Sequence, residues 1–120
     1  MKYVLSILFA TSSIALLHAQ LYVSPNATVT IESNAGVTVQ GNAVNAGTIS
    51  NAGIMYLSGN LENSNTLTST GIFDLNGVNQ TINSNSQTFA TLRINGGGDK
   101  IFNSNTTVEN ELLLTNGLVS

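Results

Sequence analysis

Asn45-Ala-Gly-Thr48-Ile49-Ser50-Asn-Ala-Gly53-Ile54-Met-Tyr-Leu57-Ser-Gly59 is matched downstream by Asn63-Ser-Asn-Thr66-Leu67-Thr68-Ser-Thr-Gly71-Ile72-Phe-Asp-Leu75-Asn-Gly77. Asn45 aligns with Asn63 and Gly59 with Gly77, so apolar positions and turn residues recur together. A fixed period this short marks a solenoid, because a single unit cannot bury its own apolar face and must stack on a neighbour. The spacing predicts an inward ladder of Ile49 over Leu67, Ile54 over Ile72 and Leu57 over Leu75, with Met55 over Phe73 on the same period. Such pairs stack about 4.8 Å apart, the ordinary separation of hydrogen-bonded strands.

The apolar runs are short, and no helical period separates them. A crossover helix takes about ten residues or more, so a doubly wound α/β fold is excluded. Each unit instead returns through Asn-Gly or Ser-Gly corners, where Asn and Gly tolerate left-handed backbone angles. The expected fold is all-β: a right-handed parallel β-helix with coils of about 18 residues and no long helix in the mature chain. Stacked corners would align Asn with Asn and allow an amide ladder.

Upstream, Ala27 to Glu32 alternates, with Val29 and Ile31 on one side and Thr28, Thr30 and Glu32 on the other. Val37-Thr38-Val39 is the next strand. Asn34-Ala35-Gly36 falls one position short of a full period before Asn51-Ala52-Gly53, so a single gain or loss is expected in a turn. Val44 is the inward candidate of the next segment. Leu21-Tyr22-Val23 is a first strand or a cap, and Pro25 is the single proline. Downstream the repeat loosens. Asn83 to Gln87 reads as an exposed polar segment. Phe89 to Ile94 is a strand with Leu92 and Ile94 inward, and Asn95-Gly96-Gly97-Gly98-Asp99 is a corner. Short strands follow at Ile101-Phe102, Thr107-Val108-Glu109 and Glu111 to Thr115. Leu118-Val119-Ser120 begins a strand it does not complete, and the expectation is the N-terminal part of a longer solenoid.

Residues 1–19 read as a secretory leader. Met1-Lys2 gives a positive start, Tyr3 to Leu17 is apolar or small, and Leu17-His18-Ala19 precedes a cut before Gln20. The run is shorter than the about 20 apolar residues a membrane span requires, and it contains Ser and Thr. The solenoid domain is then 20–120, secreted or extracellular. No Cys follows the cut, which disfavours a lipid anchor and leaves the domain without disulfides.

Composition excludes several functions. The chain is 42% apolar but only 8% charged, with six acidic residues against three Lys plus Arg. After leader removal the basic side chains are Arg93 and Lys100, facing Glu32, Glu62, Asp74, Asp99, Glu109 and Glu111. Nucleic-acid binding needs several cationic phosphate contacts, so no nucleic-acid partner is expected.

No residue is assigned as catalytic, cofactor-binding or metal-binding, and no cofactor is expected. Asp74, with Glu62 nearby in sequence, is the most tempting carboxylate for glycoside chemistry, which requires a positioned acid and base. Its partner would be Arg93, Asp99 or Lys100, none placed by a motif, and solvated charge is the favoured reading. Asp99, Glu109 and Glu111 are oxygen donors for calcium, but a site takes six to eight such ligands and the Gly-Asp repeats of calcium-binding rolls are absent. Thr30, Thr48 and Thr66 stand one period apart and predict an outward threonine ladder, the kind of surface ice-binding solenoids present. Ser50 interrupts the companion column, no continuation past Thr68 is expected, and Thr is an ordinary strand residue. Tyr56, Tyr22 and Phe73 are candidate outward aromatics for sugar stacking; Phe73 and Met55 equally fit an inward position, and core or edge packing is the favoured reading for Phe73.

Gly71-Ile-Phe-Asp-Leu-Asn-Gly-Val-Asn-Gln-Thr-Ile82, Phe89-Ala-Thr-Leu-Arg-Ile94, Thr107-Val108 and Glu111-Leu-Leu-Leu-Thr-Asn-Gly-Leu-Val119 together resemble the repeat region of large secreted or surface adhesin-like proteins of Bacteroidetes-type bacteria. That resemblance implies a parallel β-helix in a longer chain with a downstream sorting domain, attached to the outer cell surface, with surface carbohydrate or protein as partner. It supplies no catalytic residues. The function expected is a non-enzymatic structural or adhesin-like stalk or binding face. The alternative is the scaffold of a secreted polysaccharide-degrading enzyme.

Overall fold

The computed structural model describes residues 20–120, so the leader read at 1–19 lies outside the described residues. The described residues form thirteen strands. They are β1 (Leu21–Val23), β2 (Thr28–Ile31), β3 (Gly36–Val39), β4 (Ala43–Asn45), β5 (Thr48–Asn51), β6 (Ile54–Leu57) and β7 (Leu61–Asn63). Then come β8 (Thr66–Leu75), β9 (Gln80–Asn83), β10 (Thr88–Ile94), β11 (Asp99–Phe102), β12 (Thr107–Leu114) and β13 (Leu118–Val119). Every strand pairing is parallel, and among the described residues there is no helix. The chain is an all-β parallel solenoid.

Three faces wind around one core. The first stacks β1, β4, β7, β9, β11 and β13. The second stacks β2, β5 and the first halves of β8, β10 and β12, and the third stacks β3, β6 and the second halves of those same long strands. A register shift between Phe89 and Thr91 marks where β10 turns from the second face to the third. Steps between coils are unequal: the step from Ala43 to Leu61 is short, and the step from Leu21 to Ala43 is longer.

The core is built by alternation. Ile49 lies over Leu67, Met55 over Phe73 over Leu92, and Leu57 over Leu75 over Ile94, all inward and buried. Phe73 and Phe89 pack with ring centroids 5.1 Å apart at a tilted 59°, a favourable aromatic geometry. Ile54 does stack on Ile72, but both are half-buried on the outward side, because Met55 and Leu57 already claim the inward positions of β6. The same alternation corrects Val44. Ala43 and Asn45 are the buried pair of β4, and Val44 faces outward beside Glu62.

Polar side chains also occupy the interior, at the corners. Between the first and second faces, Asn45 Nδ2 donates to Asn63 Oδ1 at 2.8 Å, and Asn63 Nδ2 donates to the Ser84 carbonyl at 3.0 Å. Ser84 continues the column through its hydroxyl contact with Ser104 at 3.1 Å. The amide ladder thus exists, but inside. Ser84 is fully buried, so the expected exposed stretch 83–87 is exposed only in part. Between the second and third faces, Asn51 Nδ2 donates to Ser69 Oγ at 3.0 Å and to the Ile72 carbonyl at 2.9 Å. A turning chain exposes carbonyls that no ladder satisfies, and these amides supply the donors.

Corners also require glycine. A Cβ on Gly71 would collide with the Gly53 carbonyl of the coil before it, and one on Gly53 with the Ala35 carbonyl. Asn26, Asn34 and Asn85 take left-handed angles, φ 67°, 68° and 55°. The turn between β2 and β3 is longer by two positions, not one, than its counterpart in the next coil. Thr28 pairs with Thr48, but Gly36 pairs with Ile54. The turn absorbs the excess, because a one-residue slip within a strand would reverse every side chain.

Candidate functional site

Three outward features carry chemistry. On the third face, in-register pairing lines up Thr38, Tyr56, Asp74, Arg93 and Leu113. The expectation of a solvated Asp74 fails. The residue points outward yet is only 1% exposed, flanked in register by Tyr56 on one strand and Arg93 on the other. Arg93 Nη1 donates to Asp74 Oδ2 at 2.9 Å, with the Arg93 side chain 26% exposed. Pairing compensates the desolvated carboxylate on one oxygen. Asp74 Oδ1 is buried and has no partner among the described residues.

Glu62 does not join Asp74. It stands on the first face, where its carboxylate accepts from Asn83 Nδ2 at 2.8 Å. Asp99 is exposed on β11 of the first face, while Glu109 and Glu111 are exposed on β12. Among the described residues, no three His, Cys, Asp or Glu side chains converge to hold a metal ion.

The corner joining the third face to the first holds Lys100. In sequence it is no more than a candidate partner for Asp74, yet its side chain is fully buried elsewhere. Lys100 stacks on Gln80, and its ammonium donates to the carbonyls of Gly77 at 2.8 Å, Val78 at 3.0 Å and Gly97. Gln80 does the same one coil earlier, donating to the carbonyls of Leu57 at 2.9 Å and Gly59 at 2.6 Å. Burial lowers the Lys100 pKa from its usual 10.5, and the neighbouring Asp99 charge works the other way. Lys100 plugs a carbonyl-lined corner with its side chain.

The second face carries hydroxyls. Thr28 pairs with Thr48, and Thr48 with Thr66. The predicted ladder of Thr30, Thr48 and Thr66 is therefore out of register at its first member, because of the longer turn in the first coil. Thr30 belongs to the companion column, paired with Ser50, which pairs with Thr68. That column continues: Phe89 pairs with Ser69, which sets Thr88 beside Thr68, and Thr88 pairs with Thr107. The expected stop at Thr68 is overturned.

Tyr22 is 61% exposed on β1, and Tyr56 is half-buried with its ring toward Gly36. Phe73 and Met55 are fully buried, which settles Phe73 in the core and removes it as an outward aromatic. A recess of about 340 Å³ is lined by Leu92, Phe102, Val108 and Leu112, side chains of the last coils where the core is uncovered. Another recess, of about 450 Å³, lies along the corner joining the third face to the first, between Gln40, Ser58, Asn76 and Val78. Compared with protein-family models, with curated proteins and with solved structures, the chain matches none.

Proposed function

We propose that this chain is a non-catalytic, secreted or surface-exposed scaffold, an adhesin-like stalk whose outward faces make the contacts. What supports this reading is the dispersal of its ionisable groups. Asp74 is tied to Arg93, Glu62 lies on another face, and Lys100 is sealed in a corner. Acid–base hydrolysis needs two carboxyl groups facing one bond, roughly 5–9.5 Å apart. Continuous parallel ladders around the core suit a load-bearing spacer. The leader-like segment 1–19 and the resemblance to surface repeat regions point to export, with carbohydrate or protein as the contacted surface and a sorting domain in the parent chain.

The alternative, the scaffold of a polysaccharide-degrading enzyme, draws on the unpartnered Asp74 Oδ1. One experiment separates the two. The purified chain is incubated with a panel of surface polysaccharides and with whole cells, and both retention and new reducing ends are measured. The scaffold reading expects retention without product. Release of product that disappears in Asp74→Asn would replace it with the enzyme.

A further inference from the structure

We propose that the second face is an ice-binding surface, docking through its two columns of hydroxyls. The first column is Thr28, Thr48 and Thr66; the second is Thr30, Ser50, Thr68, Thr88 and Thr107. These positions lie opposite the inward residues of their strands, such as Ile49 and Leu67, so their side chains project outward. Among the described residues, Thr66 alone of these hydroxyls is tied to another side chain, that of Asn65 at 3.3 Å.

Generic strand preference for Thr does not account for the pattern. It would act on all three faces alike. In the same coils the third face reads Thr38, Tyr56, Asp74, Arg93 and Leu113, and the first reads Tyr22, Val44, Glu62 and Asn83. Only the second face repeats one chemistry among the described residues. Nor does a copied period account for it. The second column advances by unequal steps from Thr30 through Ser50, Thr68 and Thr88 to Thr107, and each irregularity is taken up in a corner, leaving the hydroxyls in line.

The geometry selects the partner. In-register strands space the rows at about 4.8 Å, and alternate residues along a strand space the columns at about 6.6 Å. Such a grid of donors and acceptors is of use against a surface that is itself periodic. Hexagonal ice repeats its oxygens over similar distances along its two principal directions. Thr holds each hydroxyl on a side chain stiff at χ1, so little freedom is lost on docking, and its methyl group packs beside the hydroxyl. Both columns lack the Trp, Tyr and Arg anchors that concentrate energy in protein interfaces and the cations that bind phosphate. The proposal is independent of whether the chain serves as an adhesin stalk.

The test uses the full purified chain. Its effect on ice recrystallisation and crystal shape is measured beside Thr68→Tyr, Ser50→Thr and, on the first face, Val44→Thr, with circular dichroism on each. The native chain is expected to slow recrystallisation and facet the crystals. Thr68→Tyr is expected to lose both effects with an unchanged spectrum, Val44→Thr to keep them, and Ser50→Thr to strengthen them by completing the column. Ser50→Thr adds one methyl group outside the core, so it reads the face even should the tyrosine variant not fold. Unaltered ice growth with the native chain overturns the proposal. So does equal loss in Val44→Thr, no gain in Ser50→Thr, or retention on crystalline cellulose or chitin without any effect on ice.

Discussion

At the scale of the residue, the decisive side chains are polar groups turned inward at corners. Asn63 accepts from Asn45 and donates to the carbonyls of Ser84 and Asn65. Removing it strands buried partners, and an unsatisfied buried group costs about 1–3 kcal/mol. Asn63→Ala is expected to lose that much in urea unfolding, whereas exposed Thr70→Ala stays within about 0.5 kcal/mol. Lys100 makes a pH-dependent case. Its pKa is lowered in the folded chain, so between that value and the ordinary 10.5 the unfolded chain binds the proton more strongly. Stability then rises as pH climbs through that window and stays on its lower plateau beneath it. Unfolding free energies measured from neutral pH upward should show this rise in the native chain and lose the Lys100 share of it in Lys100→Met. A fall through the same window that Lys100→Met removes would contradict the assignment. The Asn45–Asn63 ladder was legible from the aligned corners, but not that it turns inward, and the Lys100 role was not legible, since a lone Lys beside an Asp reads as a surface charge. Which way a corner side chain points depends on the carbonyls that the next coil brings over it.

At the scale of the element, alternation and period were legible, and register was legible where the repeat is clean. Ile49 over Leu67 and Leu57 over Leu75 follow from the repeat spacing alone. Val44 and Ile54 did not, since such short strands hold too few positions to fix which parity faces in. Thr30 was misplaced because the longer turn before β3 breaks the arithmetic one coil earlier. The same contrast between turn and strand yields a prediction. One glycine inserted between Asn34 and Ala35, in the turn that is already longer than its counterpart, should leave a cooperative thermal transition only slightly lowered. One inserted between Met55 and Tyr56 reverses the side chains that follow, placing Tyr56 where Leu57 was, and should abolish the transition. Equal tolerance of both insertions would contradict the strand assignments.

At the scale of the molecule, three parallel faces share one narrow core and differ in what they show to solvent. The first is mixed, the third carries the Asp74–Arg93 pair, and the second carries aligned hydroxyls. The fold class was legible because a short repeat admits few ways of burying its apolar residues. The character of each face was not, because it is the sum of columns whose alignment depends on every corner between them. Fold and surface proposals therefore rest on one claim, the register of stacked coils. The chain contains no cysteine, which makes that claim directly measurable. Paired cysteines would be introduced at Thr28 and Thr48, and separately at Thr30 and Thr48, and each protein mildly oxidised. Bridging needs Cα atoms within roughly 7 Å, and strand spacings place in-register neighbours at about 4.8 Å but the offset pair at about 8 Å. The Thr28/Thr48 pair is expected to close, and the Thr30/Thr48 pair, although spaced in sequence like the clean repeats, is not. The reverse would show that the first coil keeps the simple period and that the register described here is wrong.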